Sequence, residues 1–131
     1  MDEFDENAAP AWGRRFLLLG WVLALTCVTV LALLPTEYLQ APVFDWWDKA
    51  QHALAFAVLT AWGLWLWPRA AVRVALGMFG FGALIELAQW WTGWRFGEWA
   101  DWMADAVGVL VAVGLAQWLM KMLRLRGRMD R

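Results

Sequence analysis

Cysteine is nearly missing from this chain. Cys27 is the only one. No disulfide can close within one copy, and a lone thiol inside an apolar run is expected to behave as a small hydrophobe. Excess charge is missing too: 11 Lys and Arg stand against 12 Asp and Glu, a net charge of −1. That balance argues against a bulk polyanion such as nucleic acid as partner. There is no Pro/Ser-rich linker, low-complexity tract or internal repeat, so the chain reads as one domain. Period-two alternation of apolar residues is absent, which excludes barrel strands. An H-E-x-x-H or comparable ligand string is also absent, so no metal or other cofactor is expected. The stretch "ALTC" hints at a lipoprotein cleavage site, but Thr26 does not fit the small residue required before the cysteine. The run beginning "GRRFLLLGWVLAL" continues apolar to Leu34, longer than the roughly 7–15-residue core of a signal peptide.

What the chain has in quantity is apolar surface. It is 63% hydrophobic, with a mean hydropathy of +0.48, where a soluble domain is roughly half apolar. A helix needs about 20 mostly apolar residues to cross the hydrocarbon core. Four stretches qualify: Phe16–Leu34, closed by Pro35; Ala50–Trp67, closed by Pro68; Val72–Trp91; and Trp102–Met120. The expected fold is an all-α integral membrane protein, a four-transmembrane-helix bundle. An acidic tail over residues 1–15 precedes the membrane domain at 16–120, and a basic tail follows at 121–131. The first of these tails (Asp2, Glu3, Asp5, Glu6) is expected to be disordered.

Lys and Arg set the orientation. Arg14, Arg15, Arg69, Arg73, Lys121, Arg124, Arg126, Arg128 and Arg131 all fall on one side of a four-span chain, leaving only Lys49 and Arg95 for the other. Both termini are therefore expected in the cytoplasm. The short basic tail "KMLRLRGRMDR" marks that side or touches anionic lipid, rather than binding nucleic acid. Of the 13 tryptophans, eleven fall near span ends, as an aromatic belt requires. Trp46, Trp47, Trp90, Trp91, Trp94, Trp99 and Trp102 belong to the outer level, and Trp12, Trp65, Trp67 and Trp118 to the inner one. Ala104, Gly108, Ala112 and Ala116 recur every fourth position, and Gly77, Gly80 and Gly82 thin the third span. These small faces are expected to bring spans three and four close together.

The remaining polar residues gather at one depth. Asp48, Lys49 and His52 open span two. Glu86 and Gln89 lie near the end of span three. Arg95 and Glu98 lie in the third connection, and Asp101 and Asp105 open span four. Asp48 and His52 are four residues apart, Glu86 and Gln89 three, Asp101 and Asp105 four, so each pair shares a helix face. At 1.5 Å per residue Glu86 sits roughly 7 Å deeper than Trp91. Ionisable groups at such depth face the bundle interior or water and mark a candidate site. The bland readings stay open: Asp48 and Lys49 as a solvated helix start, His52 as a satisfied interior histidine, Glu86 with Arg95 as a structural ion pair.

At these residues the chain resembles the VanZ-like family. The likeness rests on "WDKAQHALAF" (Asp48, Lys49, His52) and "ELAQWWTGWRFGEWADWMADAVG" (Glu86, Gln89, Arg95, Asp101, Gly108), and it covers about Asp45 to Gly114. Asp105 stands where that family has asparagine. The resemblance implies a small multi-helix protein of the bacterial cytoplasmic membrane. It also implies a cell-envelope context, the family being named for low-level resistance to the lipoglycopeptide teicoplanin.

Two mechanisms follow. In the first, an outward-facing pocket binds a lipid headgroup or an amphiphile such as a lipid-linked envelope precursor or a lipoglycopeptide. Lys49 and Arg95 grip a phosphate or carboxylate, with Gln89, Glu98, Asp101 and Asp105 lining the pocket. In the second, the protein is an enzyme acting on an envelope lipid or lipid-linked glycan. His52, oriented by Asp48, is the general base and Glu86 the acid. Proton-coupled transport through Glu86 is a weaker third reading, because no matching charge lies deeper in the spans.

Overall fold

A computed structural model describes residues 11–35, 47–93 and 98–129, all helical apart from short turns. Helix α1 spans Ala11–Leu33, α2 Trp47–Leu66, α3 Ala71–Thr92 and α4 Trp99–Met129. Three of them, α1, α3 and α4, are long and apolar enough to cross a membrane. Helix α2 falls short because Lys49, Gln51 and His52 occupy its first turns. It is also the most enclosed helix, touching all three others, and a helix covered by protein needs less apolar surface toward lipid.

Helix ends follow local chemistry. Proline cannot continue a helix and disfavours helical backbone just before it; Pro35 and Pro68 each lie two residues past the last helical residue of α1 and α2. After α2 the chain turns tightly, with the Ala70 N–H donating to the Trp67 carbonyl at 2.9 Å. Helix α3 stops at Gly93, whose φ of 76° is left-handed and suits glycine. Two boundaries differ from expectation. Helix α1 begins at Ala11 and takes in Arg14 and Arg15. Helix α4 runs on to Met129, because Lys, Leu, Met and Arg are good helix formers and the basic segment holds no proline. Residues 1–10 lie outside the described residues.

Phe56, Leu59, Met78, Ile85 and Val109 form the core, joined by Ala32 from α1. The outside is apolar over most of its length: Leu23, Leu54, Val58, Leu76, Leu84, Leu110 and Leu115 are all exposed. Water does not tolerate so extended an apolar surface, whereas lipid does. Trp90, Trp91 and Trp99 are exposed at one end, and Trp12, Trp65 and Trp118 at the other. Cys27 lies on the exposed side of α1 rather than inside.

The small-residue ladder on α4 packs differently from expectation. Its close partner is α2, not α3. A Cβ at Gly108 would collide with the Ala53 carbonyl of α2, so the two backbones meet there, and Ala112 is buried beneath. Gly77 and Gly80 face open space, while Gly82 alone of the α3 glycines is tightly covered, by Asp105 and Phe56. The spacing of small residues identified a packing face without identifying its partner.

Candidate functional site

Helices α2 and α4 both start, and α1 and α3 both finish, at the same end of the bundle, the polar end. Two cross-helix contacts fix the register there. The Lys49 Nζ lies 3.1 Å from Asp101 Oδ1, and His52 Nδ1 lies 3.0 Å from Asp105 Oδ1. Residues 49 and 52 are one turn apart on α2, and residues 101 and 105 one turn apart on α4. The pairing order rises along both helices, so α2 and α4 run in the same direction. Gly108, a further turn along α4, lets the backbones approach closely enough for both pairs to form. Lys49 also donates to Glu98 Oε2 at 3.1 Å, so its ammonium is shared between two carboxylates.

Asp105 is the pivot of the site. Its side chain is 2% exposed. One oxygen meets His52; the other, Oδ2, has no hydrogen-bond partner and lies 2.9 Å from where a Cβ on Gly82 would stand. Glycine at 82 is what allows a carboxylate from α4 to lie against α3. One turn nearer the polar end on α3 is Glu86. Among the described residues its two buried oxygens make no close hydrogen bond, although the Glu98 backbone N–H, Asp101, His52 and Asp105 are near enough to act on it. Asp105 of α4 is therefore a carboxylate that touches His52. The side chain of Asp48, expected as its orienting group, lies outside the described residues, as does Arg95.

Gln89 serves a different purpose from the rest. Its Nε2 donates to the Ala32 carbonyl at 2.9 Å, in the last turn of α1, where carbonyls lack helical partners. It ties α3 to α1 and is 1% exposed, and its Oε1 stays unpaired. Sequence reasoning placed Gln89 in the polar cluster and missed its bond to α1, because a backbone carbonyl leaves no mark in the sequence. It also missed Thr60. This residue lies eight positions after His52 on the same face of α2, is wholly buried, and has an unpaired hydroxyl. The helical repeat from His52 through Phe56 to Thr60 was the available signal.

Beside the paired contacts, α3 and α4 form a cleft of about 510 Å³, lined by Ala83, Glu86, Leu87, Trp90, Glu98, Trp99 and Trp102. Trp99 and Trp102 meet edge to face, their ring centroids 5.9 Å apart, and Trp102 Nε1 donates to the Phe79 carbonyl at 3.3 Å. Trp90 and Trp99 are 73% and 82% exposed, so the cleft opens at the tryptophan level. Among the described residues, no group of three or more His, Cys, Asp or Glu is arranged to hold a metal ion.

No family model, curated protein or solved structure matches the chain. The reading of the site rests on its own geometry.

Proposed function

We propose that this chain is a VanZ-like protein of the bacterial cell envelope. It crosses the cytoplasmic membrane four times with both termini inside, and it binds a lipid headgroup or amphiphile at its outward end. The observation that carries the reading is the α3–α4 cleft. It combines apolar tryptophan walls with the carboxylates of Glu86 and Glu98, the mixed lining an amphiphile needs: aromatic surface for its apolar part and a few polar groups to fix its head. Lys49 is held by Glu98 and Asp101, so it supports the cleft's edge rather than gripping an anion. The family resemblance adds lipid-linked envelope precursors and teicoplanin-like lipoglycopeptides as the amphiphiles to try.

The test is lipid retention by the purified protein in nanodiscs. Trp99→Ala removes an exposed wall and should lower the lipid or lipoglycopeptide retained while leaving thermal stability unchanged. Equal retention by parent and variant counts against the cleft.

One observation favours the enzyme reading as an alternative. The His52–Asp105 contact at 3.0 Å gives an imidazole an ordered carboxylate partner, the arrangement of a general base. Asp105 is a carboxylate of the kind expected of Asp48. The aspartate in place of the family's asparagine suits it, since an ionised carboxylate stabilises a protonated imidazole and an amide does not. Turnover of an added envelope lipid that disappears in His52→Ala while binding persists would select this reading.

A further inference from the structure

The polar end has acceptors to spare and few donors. Its described ionisable side chains are Glu86, Glu98, Asp101 and Asp105 against Lys49 and His52. Lys49 is committed to Glu98 and Asp101, and His52 Nδ1 to Asp105. Among the described residues, four oxygens here are buried without a close hydrogen-bond partner: both of Glu86, Oε1 of Gln89 and Oδ2 of Asp105. Asp105 and Gln89 are each at least 98% buried. Gly82, Glu86 and Gln89 share one face of α3 at i, i+4 and i+7, and Asp105 Oδ2 lies against Gly82. Asp105 Oδ2 thus lies between α4 and α3, Gln89 reaches from the same face of α3 to α1, and Glu86 is the one of the three that lines the cleft.

Buried acceptors without donors are costly, and a surplus of carboxylates near lipid more so. The chemistry that relieves both is a group that carries positive charge, donates and does not accept. A primary ammonium is such a group, with three N–H donors. The cleft walls agree, because tryptophan faces attract cations and Trp90, Trp99 and Trp102 supply them.

We infer that the amphiphile bound in the α3–α4 cleft carries a primary amine, with its ammonium on Glu86 and its apolar portion against Trp90, Trp99 and Trp102. The inference rests on the cleft being an amphiphile site and specifies the head that the site selects. Glu86 has three rotatable side-chain bonds, and a turn about them presents its oxygens to the cleft. Arg95 provides the rival account: a guanidinium there would make the cleft an anion site.

Three lipids with identical acyl chains separate these ideas. Phosphatidylethanolamine and phosphatidylcholine share a phosphate and a positive nitrogen, but only the first has N–H donors. Phosphatidylglycerol has the phosphate and no amine. The full chain is reconstituted in nanodiscs of equal mixtures, re-extracted, and its retained lipid quantified by mass spectrometry. Phosphatidylethanolamine should be retained over phosphatidylcholine by roughly tenfold, as charge-assisted N–H···O bonds imply. Glu86→Gln should abolish that preference, and Trp99→Ala should weaken retention of both lipids, which keeps the test decisive if one variant folds poorly. Equal retention of ethanolamine and choline lipids, both reduced by Trp99→Ala, overturns the amine inference and leaves the amphiphile site standing. Preference for phosphatidylglycerol, lost in Arg95→Gln, overturns it in favour of the anion site. Retention of none of the three overturns the amphiphile site and this inference together.

Discussion

The carboxylates at the polar end stand in two different surroundings. Toward α2 the seam is filled: Asp101 meets Lys49, Asp105 meets His52, and Gly108 brings the backbones together. Toward α3 lies a cleft in which Glu86 oxygens have no partner and tryptophans form the walls. Residues of one chemical type hold the bundle together on one side and stand available on the other. What separates the two roles is the donor that each carboxylate meets: Lys49 and His52 in the seam, and no close side-chain donor at Glu86 among the described residues. Seam variants should therefore damage stability first, and cleft variants should damage binding first.

The largest effect is expected at Gly108→Val. Its branched side chain collides with the α2 backbone, and the cost of such overpacking is about 3 kcal/mol; a large drop in the thermal midpoint in detergent would register it, and an unchanged midpoint would mean that the seam is not a close backbone contact. Next is Asp105→Ala, which removes the Asp105 carboxylate from His52 at a cost of roughly 2 kcal/mol. Asp105→Asn keeps an acceptor for a neutral His52 and should cost less than about 1 kcal/mol. If the two variants melt together, the His52 contact contributes nothing. Lys49→Met should be milder, about 1 kcal/mol or less, because its ammonium is half-exposed and screened; a loss that does not shrink with added salt would argue for a more buried pair. The stability change in Glu86→Gln should be smaller still, within about 0.5 kcal/mol, since the amide keeps an acceptor for the Glu98 backbone and breaks no ion pair among the described residues. Yet that variant should show the largest change in bound lipid. A variant that melts much lower and still holds its lipid would reverse the comparison.

Much of this arrangement was legible in the residues. Proline at 35 and 68, apolar length and the shared depth of the polar pairs gave the four helices and the end at which the site lies. The i,i+4 spacing of Asp101 and Asp105 correctly put both on the buried face of α4. Partner choice was hidden. The Asp48 side chain lies outside the described residues, but His52 also meets Asp105, 53 residues away, a contact made possible where a glycine on α4 lets α2 approach. Gln89 reads as a site amide and instead bonds a backbone carbonyl of α1. Gly82 reads as thinning and in fact accommodates a carboxylate. Helical periodicity reports which face of a helix is special; which neighbour meets that face depends on three-dimensional packing.

The most direct measurement is adduct mapping with a membrane lipid that carries a photoreactive headgroup. The protein is reconstituted with it, irradiated, and digested for mass spectrometry. Adducts should concentrate on Leu87, Trp90, Trp99 and Trp102 and fall away in Glu86→Gln. The end of α1 beside the polar cluster, where Val30 and Leu31 are also exposed, serves as the control at the same level. Labelling spread evenly between that end of α1 and the α3–α4 cleft would contradict a built site for an amphiphile.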